Sequence, residues 1–149
     1  MKNIFFIIFV VGLSLWLNAC CTMKGCIPSD IVYSITFYNF SQAETDTVQI
    51  ISYAKNSNFN TKVDSLVVGS RAVDDYYAAY TNRGLTADLD YKIKLLSTGQ
   101  VFTLTDFEIR KEKCNYCFPY SPPSNFYNQL SAYRINGQKQ TDSQIKIYK

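Results

Sequence analysis

Large apolar residues alternate with polar ones along several short segments of this chain, and a period of two is typical of β-strands buried on one face. The clearest segment is Tyr91–Leu95, in which two lysines separate Tyr91, Ile93 and Leu95. Ser97 to Gln100 include a glycine suited to a turn, and Val101 to Arg110 form the return strand. Because the apolar face of that strand changes near Asp106, we expect a bulge there.

Three earlier segments also have strand character. Ile31 to Phe37 alternates strictly, so we expect its odd-numbered residues to face the core. Thr47 to Ala54 is rich in β-branched residues, and its adjacent Ile50 and Ile51 indicate either a bulge or a strand covered on both faces. Val63 to Val68 is a shorter apolar run.

The C-terminal region predicts a second hairpin. Leu130 to Ile135 leads into Asn136-Gly137, a strong signal for a two-residue hairpin turn, and the return strand ends at Ile145–Tyr148. Arg71 to Asp88 is ambiguous, because its tyrosines have near-helical spacing but Gly84 soon interrupts them. One or two helical turns and an irregular crossover both fit this segment.

These segments amount to about seven strands, with turn signals at the spacing typical of an all-β domain. The sequence has no alternation of strands with helices, which disfavours a parallel α/β sheet. We therefore expect residues 30–149 to form an antiparallel β-sandwich, either immunoglobulin-like or transthyretin-like.

The N-terminal segment has the order of a secretory signal. Lys2 precedes an apolar run from Ile4 to Leu17, which is shorter than the roughly 20 residues that a membrane-spanning helix needs. The following Leu17-Asn18-Ala19-Cys20 resembles the lipobox of bacterial lipoproteins. An ordinary signal peptide cut near Ala19 and a short uncleaved anchor are the alternatives.

The lipobox resemblance implies a signal peptide over residues 1–19, a diacylglycerol on the thiol of Cys20 and a lipidated tether over residues 20–29. Some lipoproteins carry an acidic cluster after the lipidated cysteine that directs them to the cell surface, and residues 21–26 contain no carboxylate. We therefore expect an anchor in the outer membrane facing the periplasm, with the cell surface as the alternative. The chain resembles the small β-sandwich envelope lipoproteins of didermal bacteria.

Composition narrows the function classes. The chain has 15 Lys and Arg, 12 Asp and Glu and no histidine. Such a small basic surplus gives no reason to expect a nucleic-acid partner. Without histidine, neither a Ser-His-Asp nor a Cys-His site can be assembled from this chain. We expect a protein that is not an enzyme and needs no cofactor or metal.

With Cys20 acylated, Cys21, Cys26, Cys114 and Cys117 remain, and an even number in an exported chain predicts disulfides of open connectivity. A bridge from Cys26 to Cys114 or Cys117 is the simplest arrangement. A redox pair at Cys114 and Cys117 and a zinc site of all four thiols are alternatives. Export and the lack of a following helix favour the structural bridge.

Residues 116–127 form a loop rich in aromatic residues and proline. Such a loop presents rigid rings with little entropy to lose on binding, so a glycan or peptide surface is one interpretation. Its contacts would be Tyr116, Tyr120, Phe126 and Tyr127. The other interpretation is that these rings cap one end of the core.

Two further motifs carry weaker signals. Asp46-Thr47-Val48 and Asp64-Ser65-Leu66 resemble a short acceptor motif for protein O-glycosylation in bacterial envelopes. The acidic pairs Asp74-Asp75 and Asp88/Asp90 match no calcium-loop pattern, and we expect them in solvated turns.

The leading hypothesis is a non-catalytic lipoprotein that serves as scaffold or accessory subunit for another envelope protein. A ligand-binding module is the rival.

Overall fold

The structure of this protein, a computed structural model, describes residues 22–23, 28–113, 115–116 and 126–149. The chain divides into two compact units. The larger comprises residues 28–110 and 128–149, and the smaller comprises residues 1–27 and 111–127.

The described strands are β1 (Thr22–Met23), β2 (Val32–Tyr38), β3 (Thr47–Ala54), β4 (Lys62–Val73), β5 (Tyr76–Leu85), β6 (Leu89–Leu95), β7 (Val101–Lys113), β8 (Asn115–Tyr116), β9 (Phe126–Ile135), β10 (Gln138–Gln140) and β11 (Ile145–Tyr148). One short helix, α1 (Gln42–Thr45), lies between β2 and β3. In the smaller unit β1 pairs antiparallel with β8.

The prediction of an all-β fold is confirmed. Nine of the described strands form one curled mixed sheet in the order β10-β9-β7-β6-β3-β4-β5-β2-β11. The predicted number of strands was too low, because β5 was not recognised and the last predicted strand is divided into β10 and β11. The prediction of a purely antiparallel sheet was wrong at one edge, where β11 runs parallel to β2.

The sheet curls because β4 changes partner along its length. Its first part, Lys62 to Gly69, pairs with β3, and its last part, Ser70 to Val73, pairs with β5. The strands on either side of this change enclose one apolar core. Its fully buried members include Ile35, Phe37, Val48, Ile93, Leu95, Leu104, Leu130, Ile145 and Ile147.

The curl brings strands from opposite ends of the sheet order into contact. Ser29, just before β2, forms a parallel bridge with Gln129 of β9. Deeper in the core, the Tyr133 hydroxyl of β9 donates to the Gln144 carbonyl at 2.8 Å and accepts from the Lys146 amide at 2.9 Å. These bonds satisfy one backbone group just before β11 and one within it.

The hairpin of β6 and β7 is confirmed. Gly99 has φ +72° in its turn, a conformation that glycine adopts without steric cost. The bulge near Asp106 is confirmed as well, because Asp106 has φ +52° and the flanking Leu104 and Phe107 are both buried. At Ile50 and Ile51 there is no bulge: Ile50 lies in the core and Ile51 is half-buried on the opposite face.

The region Arg71–Asp88 is neither helical nor an irregular crossover. Val73 pairs with Tyr76 across the two-residue turn Asp74-Asp75, and β5 follows to Leu85. Asp74 has φ +45°, a conformation that Asp tolerates better than most residues. The near-helical spacing of the tyrosines was misleading, because the residues also alternate with period two.

Two further predictions require correction. A register shift between Val32 and Ser34 reverses the alternation at the start of β2, so Val32 is buried while Ile31 and Tyr33 are exposed, whereas Ile35 and Phe37 face the core as predicted. At the C terminus, the Asn136-Gly137 turn forms as predicted, but its return strand ends at Gln140.

No helix of the described residues is long and apolar enough to span a membrane.

Candidate binding surfaces

Most of the residues predicted to carry chemistry lie outside the described residues. These are the lipidation candidate Cys20, the disulfide candidates Cys21, Cys26, Cys114 and Cys117, and Tyr120 of the aromatic loop. Tyr116 belongs to β8. At the start of β9, Phe126 is 52% exposed and Tyr127 is half-buried.

A different aromatic surface is present on the outer face of β2 and β5. Ile31, Tyr33 and Tyr80 are 41%, 55% and 54% exposed, and Tyr80 pairs with Ser34, the residue after Tyr33; we call this set the tyrosine patch. Gly84 permits it, because a Cβ at Gly84 would collide with Ile31 and lie 3.1 Å from the Tyr33 ring. The shift in β2 that turns Tyr33 outward therefore creates this surface.

Tyr80 of the tyrosine patch also lines a shallow depression of about 390 Å³. Val68, Gly69, Ser70 and Arg71 line the rest of it. Arg71 pairs with Ala78, two residues before Tyr80, so both side chains share the outer face. Exposed tyrosine next to arginine is the composition most enriched in the energetic centres of protein interfaces.

Three tyrosines, one from each of β5, β2 and β11, form a row on the same face. Tyr38 pairs with Tyr76 of β5 and with Tyr148 of β11. The Tyr38 ring centroid lies 5.2 Å from that of Tyr76 and 5.0 Å from that of Tyr148. Such cross-strand aromatic pairs stabilise a sheet.

A cleft of about 220 Å³ opens between the first part of β4 and the last part of β5. Ser52, Thr81 and Tyr91 are among its polar lining residues, and Arg83 and Asp64, which also line it, form an ion pair. The Tyr91 hydroxyl accepts from the Thr86 amide at 2.7 Å. Burial raises the pKa of Tyr91, so this hydroxyl stays protonated near neutral pH.

The residues of the two acidic pairs differ in their surroundings. Asp74 and Asp75 form a turn as expected, whereas Asp90 is buried and accepts from the Asn56 amide at 2.9 Å. Among the described residues no three His, Cys, Asp or Glu side chains are placed to hold a metal ion. Of the two glycosylation motifs, Ser65 lies within β4 and accepts from Gln49, while Thr47 begins β3.

Comparison with known proteins gives no relative. No family model matches the chain, and no curated protein or solved structure is significantly similar to it.

The face of the strand on which Tyr80 lies could have been predicted from the sequence, but the face on which Tyr33 lies could not. Tyr76, Ala78 and Tyr80 alternate with Tyr77, Ala79 and Thr81, between Asp74-Asp75 and Gly84. A strand that follows a tight turn in this way would have Tyr80 on the same face as Tyr76 and on the opposite face from Tyr77. The outward position of Tyr33 depends on a register shift that no local residue pattern indicates.

Proposed function

We propose that this protein is a lipid-anchored envelope lipoprotein that acts, without catalysis, as a scaffold or accessory subunit for another envelope protein. In this proposal residues 1–19 are a cleaved signal peptide, Cys20 carries the lipid and the curled sheet is a two-layer sandwich. The change of partner within β4 supports two layers, because it divides the sheet where the strands bend around one core.

The observation that carries the partner proposal is the tyrosine patch with Arg71 beside it. Monomeric proteins rarely expose adjoining large apolar side chains without a binding role. Arg71 is the one charged residue among those that line the depression, so a partner surface with a carboxylate would complement it.

The position of the patch in the sequence suits a partner at the same membrane. Ile31 lies eleven residues after Cys20. A fully extended chain spans at most about 3.6 Å per residue, so a lipid on Cys20 holds the patch within roughly 40 Å of its anchor point. Tethering at that distance raises the effective concentration of the patch for a membrane-bound partner.

The anchor is tested with Cys20→Ser and the adjacent Cys21→Ser as matched control. Cells that express each full-length chain are fed radiolabelled palmitate, and membranes are separated from soluble protein. We expect the wild type and Cys21→Ser to be labelled and membrane-bound, and Cys20→Ser to lose both properties. Label that persists in Cys20→Ser would contradict the proposal, as would a chain whose mass still includes residues 1–19.

The partner is tested with a photo-crosslinking residue at Tyr80 in the full chain within intact cells. Val67 of β4 is the matched control, since it is 56% exposed against 54% for Tyr80. We expect the Tyr80 position to yield one reproducible crosslinked envelope protein and Val67 to yield none. Equal products from both positions, or no product from Tyr80, would count against an accessory role through this patch.

A further inference from the structure

We propose that the groove beside β11 binds a neutral oligosaccharide by stacking a sugar ring on Tyr148. This inference goes beyond the proposed function, because it uses a different surface from the tyrosine patch. Two depressions, of about 200 and 250 Å³, adjoin at Tyr148 and Phe102 and together form this groove.

The Tyr148 ring has one covered and one open face. Tyr38 covers one face, with ring planes inclined by only 17°. Tyr148 nevertheless remains 57% exposed, because β11 is an edge strand and no further strand lies beside it within the described sheet. The stack on Tyr38 fixes the ring before any ligand arrives, so little side-chain entropy is lost on binding.

Glutamine residues line both depressions that adjoin at Tyr148. Gln100 lines one depression, whereas Gln138 and Gln140 line the other. Each amide has two N–H donors and a carbonyl acceptor, and vicinal hydroxyls of a sugar offer the complementary donor and acceptor pair. The C–H groups of a pyranose face carry weak positive charge and pack on the negative face of an aromatic ring.

The charges of the groove favour a neutral ligand. Among the described residues no carboxylate lines either depression, and the two lysines that line them are already paired. Lys146 contacts Asp142 at 2.6 Å and Lys149 contacts Glu44 at 2.8 Å. An anionic ligand would have to compete with both of these carboxylates. The glutamines in the lining also disfavour a purely apolar ligand, which needs an enclosed apolar pocket.

Binding is measured with two neutral tetrasaccharides, cellotetraose and N-acetylchitotetraose. The full chain is purified in a detergent whose headgroup contains no sugar, and saturation transfer to the saccharide is recorded by NMR. Open grooves with one stacking ring bind weakly, so we expect a Kd of roughly 1 mM for at least one of the two.

Tyr148→Ala and Gln138→Ala test the groove, and Val67→Ala is the control of matching exposure, since Val67 is 56% exposed and Tyr148 is 57% exposed. We expect Tyr148→Ala to abolish transfer, Gln138→Ala to weaken binding about fivefold, equivalent to one lost hydrogen bond, and Val67→Ala to leave transfer to the saccharide unchanged. No transfer to either saccharide, or equal transfer with Tyr148→Ala, overturns the proposal. Because Tyr80 is the residue that tests the protein partner, the two proposals fail independently.

Discussion

Glu44 joins the start of α1 to Lys149 through one carboxylate. Its Oε2 accepts a hydrogen bond at 2.8 Å from the amide of Ser41, the residue just before α1. Its Oε1 accepts from the Lys149 ammonium at 2.8 Å. The Ser-x-x-Glu pattern is a capping box that a sequence discloses. The bond to Lys149 joins residues 105 positions apart, so no local pattern predicts it.

Glu44 should make stability dependent on pH in the acid range. The bond from Lys149, followed by the bonds from Ser41, lowers the pKa of Glu44 from 4.5 to about 2. A lowered folded-state pKa stabilises the fold fully above the unfolded value and loses that effect as pH falls through the folded value. We expect Glu44→Gln to be less stable than wild type at pH 6, with a difference that shrinks between pH 4.5 and 2. Urea unfolding at each pH measures it, and a pH-independent difference would contradict this assignment.

At the scale of elements, the parts predicted correctly are those that local residues determine. The β6–β7 turn and the Asn136-Gly137 turn follow from glycines at positive φ. The bulge at Asp106 followed from apolar residues on both sides of it. The face of β2 before Ser34 could not be predicted, since the register shift there depends on the pairing of Val32 with Leu85 of β5. The tyrosine patch, which includes Tyr33, could not be predicted for the same reason.

Gly84 provides a test of how β2 and β5 form the tyrosine patch. In Gly84→Ala the new Cβ would overlap Ile31, a β-branched side chain with few alternative rotamers. We expect a loss of about 1–2 kcal/mol in the free energy of unfolding, measured by urea denaturation.

The matched control for Gly84 is Gly69→Ala in β4. A Cβ there would meet only the Asp46 carbonyl at 3.6 Å, which is ordinary contact. We expect a change within about 0.5 kcal/mol. Adding Ile31→Ala to Gly84→Ala should recover much of the loss, because it removes the colliding methyl group. Equal effects of Gly84→Ala and Gly69→Ala would show that the close approach of Ile31 is not what makes Gly84 necessary.

At the scale of the whole larger unit, the curled sheet depends on contacts between distant parts of the chain. The Asn136-Gly137 hairpin correctly predicted that β10 returns along β9. It gave no sign that β11 would cross to pair with β2, about 110 residues earlier. The Thr36 hydroxyl donates to the Ile145 carbonyl at 2.9 Å and helps to fix this pairing. Such long-range pairing follows from burying Ile145 and Ile147 in the shared core.

Tyr133 is the residue through which closure of the sheet can be measured. Its hydroxyl bonds two backbone groups next to β11 while its ring stacks near Phe107, at 6.3 Å between centroids. Tyr133→Phe retains the ring but leaves the Gln144 carbonyl and the Lys146 amide without this partner. Both bonds are partly buried, and a hydrogen bond contributes about 0.5–1.5 kcal/mol net, so we expect about 1 kcal/mol lower stability in urea unfolding. Hydrogen exchange should also become faster at Lys146 than at amides of β3, since the edge strand β11 opens first.

Tyr80→Phe, with an exposed ring, should change stability by less than about 0.5 kcal/mol. If both variants unfold alike and Lys146 keeps its protection, the apolar core alone holds β11 against β2, and the hydroxyl of Tyr133 has no part in closing the sheet.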